Sequence, residues 1–465
     1  MKMSSPLSVF PALVIGLLAV NLAWALPGPE DRVYTADQNS NTVSVINPAA
    51  NTLLGQIRLG NQRPDVLSPL YKGEINVHGL GYSPDHKTLL AISTGSNSVT
   101  FIDTATNAVK GKAYIGRAPH EGFFTQDGRE VWAVVRGENY LSVIDPATFR
   151  ETGRIEVAPG PGMVRFHPAG GLAFVVSSFT PEVDVVDVVS HVVVRRIPVV
   201  SPFSPFLQFT PDGREMWMTH KDVGKVTRID TQTLQVTGVI DTGMITNHLG
   251  FARTAAGTLA YVTVGGENAV KVYTTEPQAR LVATIPVGPL PHGIWPSDDS
   301  TRMYVGLENG DAVDVIDTAT NKVVTRIPVG QAPQALVYVS NAVPSGSGTA
   351  NLVARANADP VNVALKPVSG AGRGTVVARN LGLVDSLEVS LFKLKPETTY
   401  SVYASGQAAP VAVLKTDKKG VASATAIGPM RQVAGTAKGT PPSRIVVMEG
   451  NAPANTGKAV LVSGK

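Results

Sequence analysis

The chain repeats itself. The pair Ile102-Asp103 returns as Ile144-Asp145, Val186-Asp187, Ile229-Asp230 and Ile316-Asp317, with Tyr273-Thr274 holding the register before the last, at intervals of 42 to 44 residues. Ile46-Asn47 is the counterpart ahead of the first. Each copy contains four short runs of alternating apolar residues separated by turn signals. Asp127-Gly128 and Asp212-Gly213 suit turns that need positive φ. Segments such as Asp317-Thr318-Ala319-Thr320-Asn321 can hydrogen-bond their own backbone and reverse the chain. A four-stranded unit of this period cannot bury both faces alone. Radial stacking of successive sheets solves that problem and leaves few open edges. The repeat therefore predicts an all-β chain built as a β-propeller rather than as a single immunoglobulin-like sandwich.

The first strand of each unit gives the count. Six begin near His78, His120, Gly162, Pro205, His248 and His292. A seventh begins near Gln334 and stops after one strand, Ala335 to Val339. The N-terminal copy supplies only the other three: Val33 to Ala36, Thr42 to Ile46 and Leu53 to Leu59. Together they make one blade, so seven blades over residues 32–340 are expected to close as one strand plus three.

These units resemble the YVTN family of β-propeller repeats over roughly 310 residues. Tyr261-Val262-Thr263-Val264 nearly spells the motif. Val315-Ile316-Asp317-Thr318-Ala319-Thr320-Asn321-Lys322-Val323, followed by Ile327-Pro328-Val329-Gly330, matches it closely. The resemblance implies the fold and is almost silent on chemistry, because propellers host binding, catalytic and scaffolding roles alike.

Residues 341–349 read as a Ser/Gly/Pro linker, after which the repeat stops. Alternating runs such as Val361 to Leu365, Leu387 to Leu391 and Thr399 to Tyr403 then predict a small antiparallel β-sandwich-like domain over 350–465. That region has no histidine and no tryptophan, which favours a structural or docking module over an active domain.

At the other end, Lys2, the apolar run Val9 to Leu22 and Ala23-Trp24-Ala25 read as a signal peptide cut after Ala25. A periplasmic or secreted protein is expected, with no membrane association after cleavage. The chain has no cysteine, which removes disulfides, thiolate metal sites, covalent c-type haem and a lipidated N-terminus. The net charge of +4 is a mild bias toward anionic partners, and no interleaved basic and aromatic patch marks a nucleic-acid surface.

Chemistry is expected where equivalent repeat positions meet at the central channel. Aligned on the start of the first strand, these are His78, His120, Gly162, Pro205, His248, His292 and Gln334. Four histidines on one ring can hold copper, zinc, iron or a haem-type group, since neutral imidazole is a common ligand. The alternative is that Pro119-His120 and Pro291-His292-Gly293 are repeat turns whose imidazoles hydrogen-bond between blades. A wider resemblance to the propellers of nitrous-oxide reductase and haem-d1 enzymes extends the metal expectation, although none of their local motifs is matched.

Loops after the second strands return to the same face with Asp37, Arg136, Glu138, His220, Lys221 and Glu267, and Arg136 and His220 are the foremost candidates to meet a ligand. An insertion at 61–77 joins the first two blades there. Trp132 and Trp217 read as packing between blades, and His86, His167 and His191 as turn residues.

The first functional reading is an exported binding or scaffold protein that presents this His-lined face to a small ligand, a metal ion or a protein. The alternatives are a His-ligated metal or haem-type redox enzyme, or a lactonase-like hydrolase. An acid-poor ring counts against the hydrolase. No phosphate loop, G-x-S-x-G elbow or H-E-x-x-H helix is present.

Overall fold

The computed structural model describes residues 27–61, 70–381, 384–405, 407–428, 444–451 and 457–464. The signal peptide read at 1–25 lies outside them, as do residues 62–69 of the insertion. No helix among the described residues is long and apolar enough to cross a membrane.

Seven four-stranded antiparallel sheets form the propeller. The blade that closes the ring has Pro333–Val339 as its inner strand, followed outward by Arg32–Asp37, Thr42–Asn47 and Thr52–Arg58. Arg32 pairs with Val339 and Tyr34 with Val337, so the ring closes as one strand plus three. We call this blade 1. Blades 2 to 7 follow in chain order, with inner strands Val77–Tyr82, Pro119–Phe124, Pro161–Phe166, Leu207–Phe209, Thr246–Thr254 and Pro291–Pro296.

Physical chemistry explains the recurring Asp. In Asp103, Asp187, Asp230 and Asp317, one carboxylate oxygen accepts both the backbone N–H and the hydroxyl of the residue three places on. That turn ends on a left-handed residue such as Asn107, His191 or Asn321. The anchor is therefore a local turn device.

Inner and middle strands are almost wholly buried, whereas outer strands such as Arg150–Glu156 alternate between buried and exposed. Blades meet through large side chains. Trp132 packs edge-on against Phe166 of the next blade at 5.0 Å, and Trp217 against Phe251 at 5.6 Å between ring centroids. Each indole N–H donates to a glutamate two residues back, Glu130 or Glu215, so its polar atom is satisfied where the ring is buried.

The C-terminal region is all-β, and its strands belong to one eight-stranded sheet. From Ala412–Lys415 the order runs through Thr399–Ala404, Ile445–Glu449, Ala459–Ser463, Val361–Pro367, Arg373–Asn380 and Asp385–Phe392 to Ala422–Gly428. The two end strands approach each other, so the sheet curls into a nearly closed barrel around Val376, Val389, Val402, Val447 and Leu461.

This unit is pinned to the propeller by Arg379. Its fully buried guanidinium pairs with Asp311 of blade 7 at 3.0 Å and with Glu388 of its own sheet at 2.8 Å, and also donates to the carbonyl of Glu308. Upstream, Asn107 donates to the carbonyls of Gly348 and Ala350, and Gln56 pairs with Val353.

Candidate ligand site at the channel mouth

A β-bulge sits at the channel end of most inner strands. Register shifts fall between Val77 and Gly79, Pro119 and Gly122, Pro161 and Met163, Thr246 and Leu249, and Pro291 and Ile294. Blade 1 has one opposite Pro333 and Leu336. The bulged residues are the aligned ring positions, and a bulge bends the strand and re-aims side chains. In blade 5 the strand begins at Leu207, after Pro205.

The four ring histidines are buried and touch. Ring centroids are 4.2 Å apart for His78 and His120, 6.2 Å for His78 and His292, and 4.7 Å for His248 and His292. His248 also stacks on Phe206 at 4.0 Å. His120 donates through Nδ1–H to the carbonyl of Gly162 at 2.7 Å, and His292 to that of Gln334 at 3.1 Å. His78 Nδ1 and His248 Nε2 are buried with no hydrogen-bond partner. Burial, reinforced by the nearby Arg136 and Lys221, pushes His78 down to about 3. His120, His248 and His292 are likewise held well below the usual histidine range, chiefly by burial. All four are neutral imidazoles at pH 7.

Above them lies a cavity of about 530 Å³, lined by His78, His120, His292, Gln334, Arg136 and Lys221 among others. Arg117, Phe179 and Phe203 also line it. Arg136 is shifted down by burial alone. Lys221 is shifted down by burial, partly offset by Glu308. Burial pushes the Glu308 carboxyl up, with Lys221 opposing, and the Gln334 amide donates to the carbonyl of Ala332.

His220 does not join this group. It is the last residue of the strand Glu215–His220, and both ring nitrogens are engaged inside blade 5, Nδ1 with Ser204 Oγ at 2.9 Å and Nε2 with Thr227 Oγ1 at 2.7 Å. The loop acids are also committed to local bonds. Asp37 accepts from Thr35, Thr42 and Ser44, Glu138 from the backbone N–H of Arg117, and Glu267 pairs with Lys271. The described part of the insertion contributes Glu74, buried against Lys112 at 2.6 Å. The turn histidines act between blades: His86 meets the Ser340 carbonyl and His167 that of Gly213, while His191 meets the Glu130 carboxylate.

The sequence pattern does not reveal Glu121. It follows His120 within the bulge and is fully buried, with Oε1 unpartnered and 4.0 Å from His78 Nδ1. Burial holds its carboxyl well above the usual range, opposed by the backbone N–H of Leu80 and the charge of Arg165. Gly79 makes room for it, since a Cβ there would lie 2.8 Å from Glu121 Oε2 and 2.2 Å from the His120 carbonyl oxygen. Further along the channel Arg165 donates to Gln208 and lies over the rings of Phe123 and Trp295, at 4.6 and 5.1 Å from their centroids.

No family model matches the chain. A stretch of 109 residues, 23% of the chain, is 33% identical to the uncharacterized protein YncE of Salmonella typhimurium, and spans 30% of that relative's length. Among solved structures, hydrazine synthase of Kuenenia stuttgartiensis aligns with a TM-score of 0.51 at 20% identity, over 58% of this chain and 92% of that one. The periplasmic gluconolactonase PpgL of Pseudomonas aeruginosa aligns with a TM-score of 0.54 at 17% identity, over 67% and 99%. At these identities the two structures share the fold alone. The repeat motif and the seven-bladed ring make this chain a seven-bladed β-propeller, and one stretch of it is similar to YncE.

Proposed function

We propose that the protein is an exported binding propeller whose channel mouth takes a small molecule bearing an anionic group, a carboxylate or a phosphate. The observation that carries this reading is Arg136, a half-buried residue whose side chain lines the cavity and makes no ion pair among the described residues. A cation partly withdrawn from water without a counter-charge is less well solvated, and an anionic ligand in the cavity would relieve that. Lys221 adds a second cation to the same wall, with Glu308 acting on it. The three neutral imidazoles that line it, His78, His120 and His292, add polar contacts without charge. A volume of about 530 Å³ lies within the range of small-molecule sites, and Phe179 and Phe203 give it an apolar side. The leader read in the sequence supports a periplasmic or secreted setting.

The test is thermal denaturation of the full chain with inorganic phosphate, succinate and gluconate as probes. A ligand that binds only the native state raises the melting temperature. At least one probe is expected to do so for the wild type, and the rise is expected to vanish in the Arg136→Gln/Lys221→Gln double variant. Equal shifts in both proteins, or no shift with any of the three, would overturn the reading.

A further inference from the structure

We propose that His78, His120 and Glu121 form a three-ligand site for a divalent first-row transition-metal ion at the floor of the channel mouth. One ligand atom from each residue lies within 4.8 Å of the other two, and all three residues are buried. The 4.0 Å between His78 Nδ1 and Glu121 Oε1 is too long for a hydrogen bond. Two atoms bound to one ion at roughly 2.0–2.2 Å each lie about 3.4 Å apart at a tetrahedral angle, so this pair would close by about 0.6 Å around an ion.

Both of those atoms are buried and unpartnered. Leaving a buried polar atom unsatisfied is unfavourable, and one ion would satisfy both. Arg165 does not fill this role. Its guanidinium bonds to Gln208, stacks over Phe123 and Trp295, and makes no ion pair with Glu121.

The third ligand is already oriented. Donation of His120 Nδ1–H to the Gly162 carbonyl fixes the tautomer and leaves Nε2 as the ring atom open to an ion. A backbone carbonyl behind the imidazole is the usual outer partner of a metal-binding histidine. Gly79 keeps blade 2 from filling the space that the Glu121 carboxylate occupies. His292 and His248 stay outside the inner set: the first is 6.2 Å from His78 between ring centroids, and the second is stacked on Phe206.

Two imidazoles and one carboxylate suit zinc, iron(II) or copper(II). His78 and His120 also line the cavity, so a further coordination position would face it.

The test is calorimetric titration of the chelator-stripped full chain with Zn²⁺ and Cu²⁺, and visible absorption with Co²⁺ to report coordination. One equivalent is expected for the wild type. Glu121→Gln, which keeps the side-chain shape, is expected to bind at least about tenfold more weakly. His78→Gln is expected to lose the Co²⁺ spectrum, and His248→Gln to keep one equivalent. An unchanged melting temperature of metal-free Glu121→Gln would show that its loss of affinity is local. Absence of stoichiometric binding with all three ions, or wild-type affinity in both Glu121→Gln and His78→Gln, would overturn the proposal. Arg136→Gln separates it from the anion reading, because that variant is expected to keep the metal and lose the anion response.

Discussion

His120 donates its Nδ1–H to the carbonyl of Gly162, the residue that holds the same repeat position one blade further on. His292 treats Gln334 in the same way. Repeat alignment alone leaves open whether these imidazoles bond between blades or offer themselves to the channel. The observed tautomer allows both, because one nitrogen ties the blades and the other is left free.

The tie should be measurable. His120→Ala leaves the Gly162 carbonyl without its donor, which is expected to cost about 1–3 kcal/mol in urea denaturation. His120→Gln carries an amide N–H within reach of the same carbonyl and is expected to recover part of that loss. A His120→Ala protein as stable as wild type would mean that the bond contributes nothing.

Local chemistry makes much of the fold legible in the amino-acid sequence. The Asp anchors at 103, 145, 187, 230 and 317 set the blade period because each builds the same turn. The lone strand at Pro333–Val339 can be assigned because three strands at the N-terminus lack a fourth. Glu121 stays hidden because strict strand alternation sends neighbours to opposite faces, and only the bulge between Pro119 and Gly122 relaxes that rule beside His120. His220 reads as a loop residue because its partners, Ser204 ahead of the strand Leu207–Phe209 and Thr227 within Lys225–Asp230, are not brought together by sequence spacing. The curl of the C-terminal sheet depends on Ala412–Lys415 meeting Ala422–Gly428 from opposite ends of the strand order, which alternation alone does not encode.

Closure predicts a sharp boundary in truncation experiments. A chain ending at Ala332 loses the strand that pairs with Arg32–Asp37 and packs between blades 7 and 2. It exposes an edge and two apolar faces. No cooperative thermal transition is expected from it. A chain ending at Pro360 keeps that strand, the buried Val343, the Asn107 bonds and the Gln56–Val353 bridge, and is expected to melt cooperatively. Equal circular-dichroism melting curves for the two chains would refute one-plus-three closure.

His220 predicts a pH dependence. Burial, with Lys225 adding to it and Asp222 opposing, lowers its pKa to about 4. In the unfolded chain the value is about 6.5. Between these values the unfolded state binds a proton that the native state does not. Its contribution is therefore present above about pH 6.5 and is lost as pH falls toward 4, by about 3 kcal/mol over the window. His220→Gln is expected to remove that share of the slope, whatever its stability at pH 7. Denaturant melts of both proteins from pH 4 to 7 check this, and parallel curves would count against it.

Gly79 and Gly293 occupy the same bulge position in blades 2 and 7, and each lies against the backbone of the next blade. A Cβ on Gly79 would sit 2.2 Å from the carbonyl oxygen of His120, and one on Gly293 would sit 2.3 Å from that of Gln334. A backbone carbonyl cannot swing aside as a side-chain end can, so the blades must shift. Both Gly79→Ala and Gly293→Ala are therefore expected to destabilise, each by about 1–3 kcal/mol, as overpacking does. The two should part company at the channel. Only the Cβ on Gly79 also meets Glu121, at 2.8 Å. Displacing that carboxylate alters the distance to His78 Nδ1 without touching either histidine. Gly79→Ala is accordingly expected to lose Co²⁺ uptake while Gly293→Ala keeps it, measured at a temperature where both remain folded. If both lose it, the effect is a general loosening of the ring. If neither is destabilised, the close approach of these blades is not a constraint.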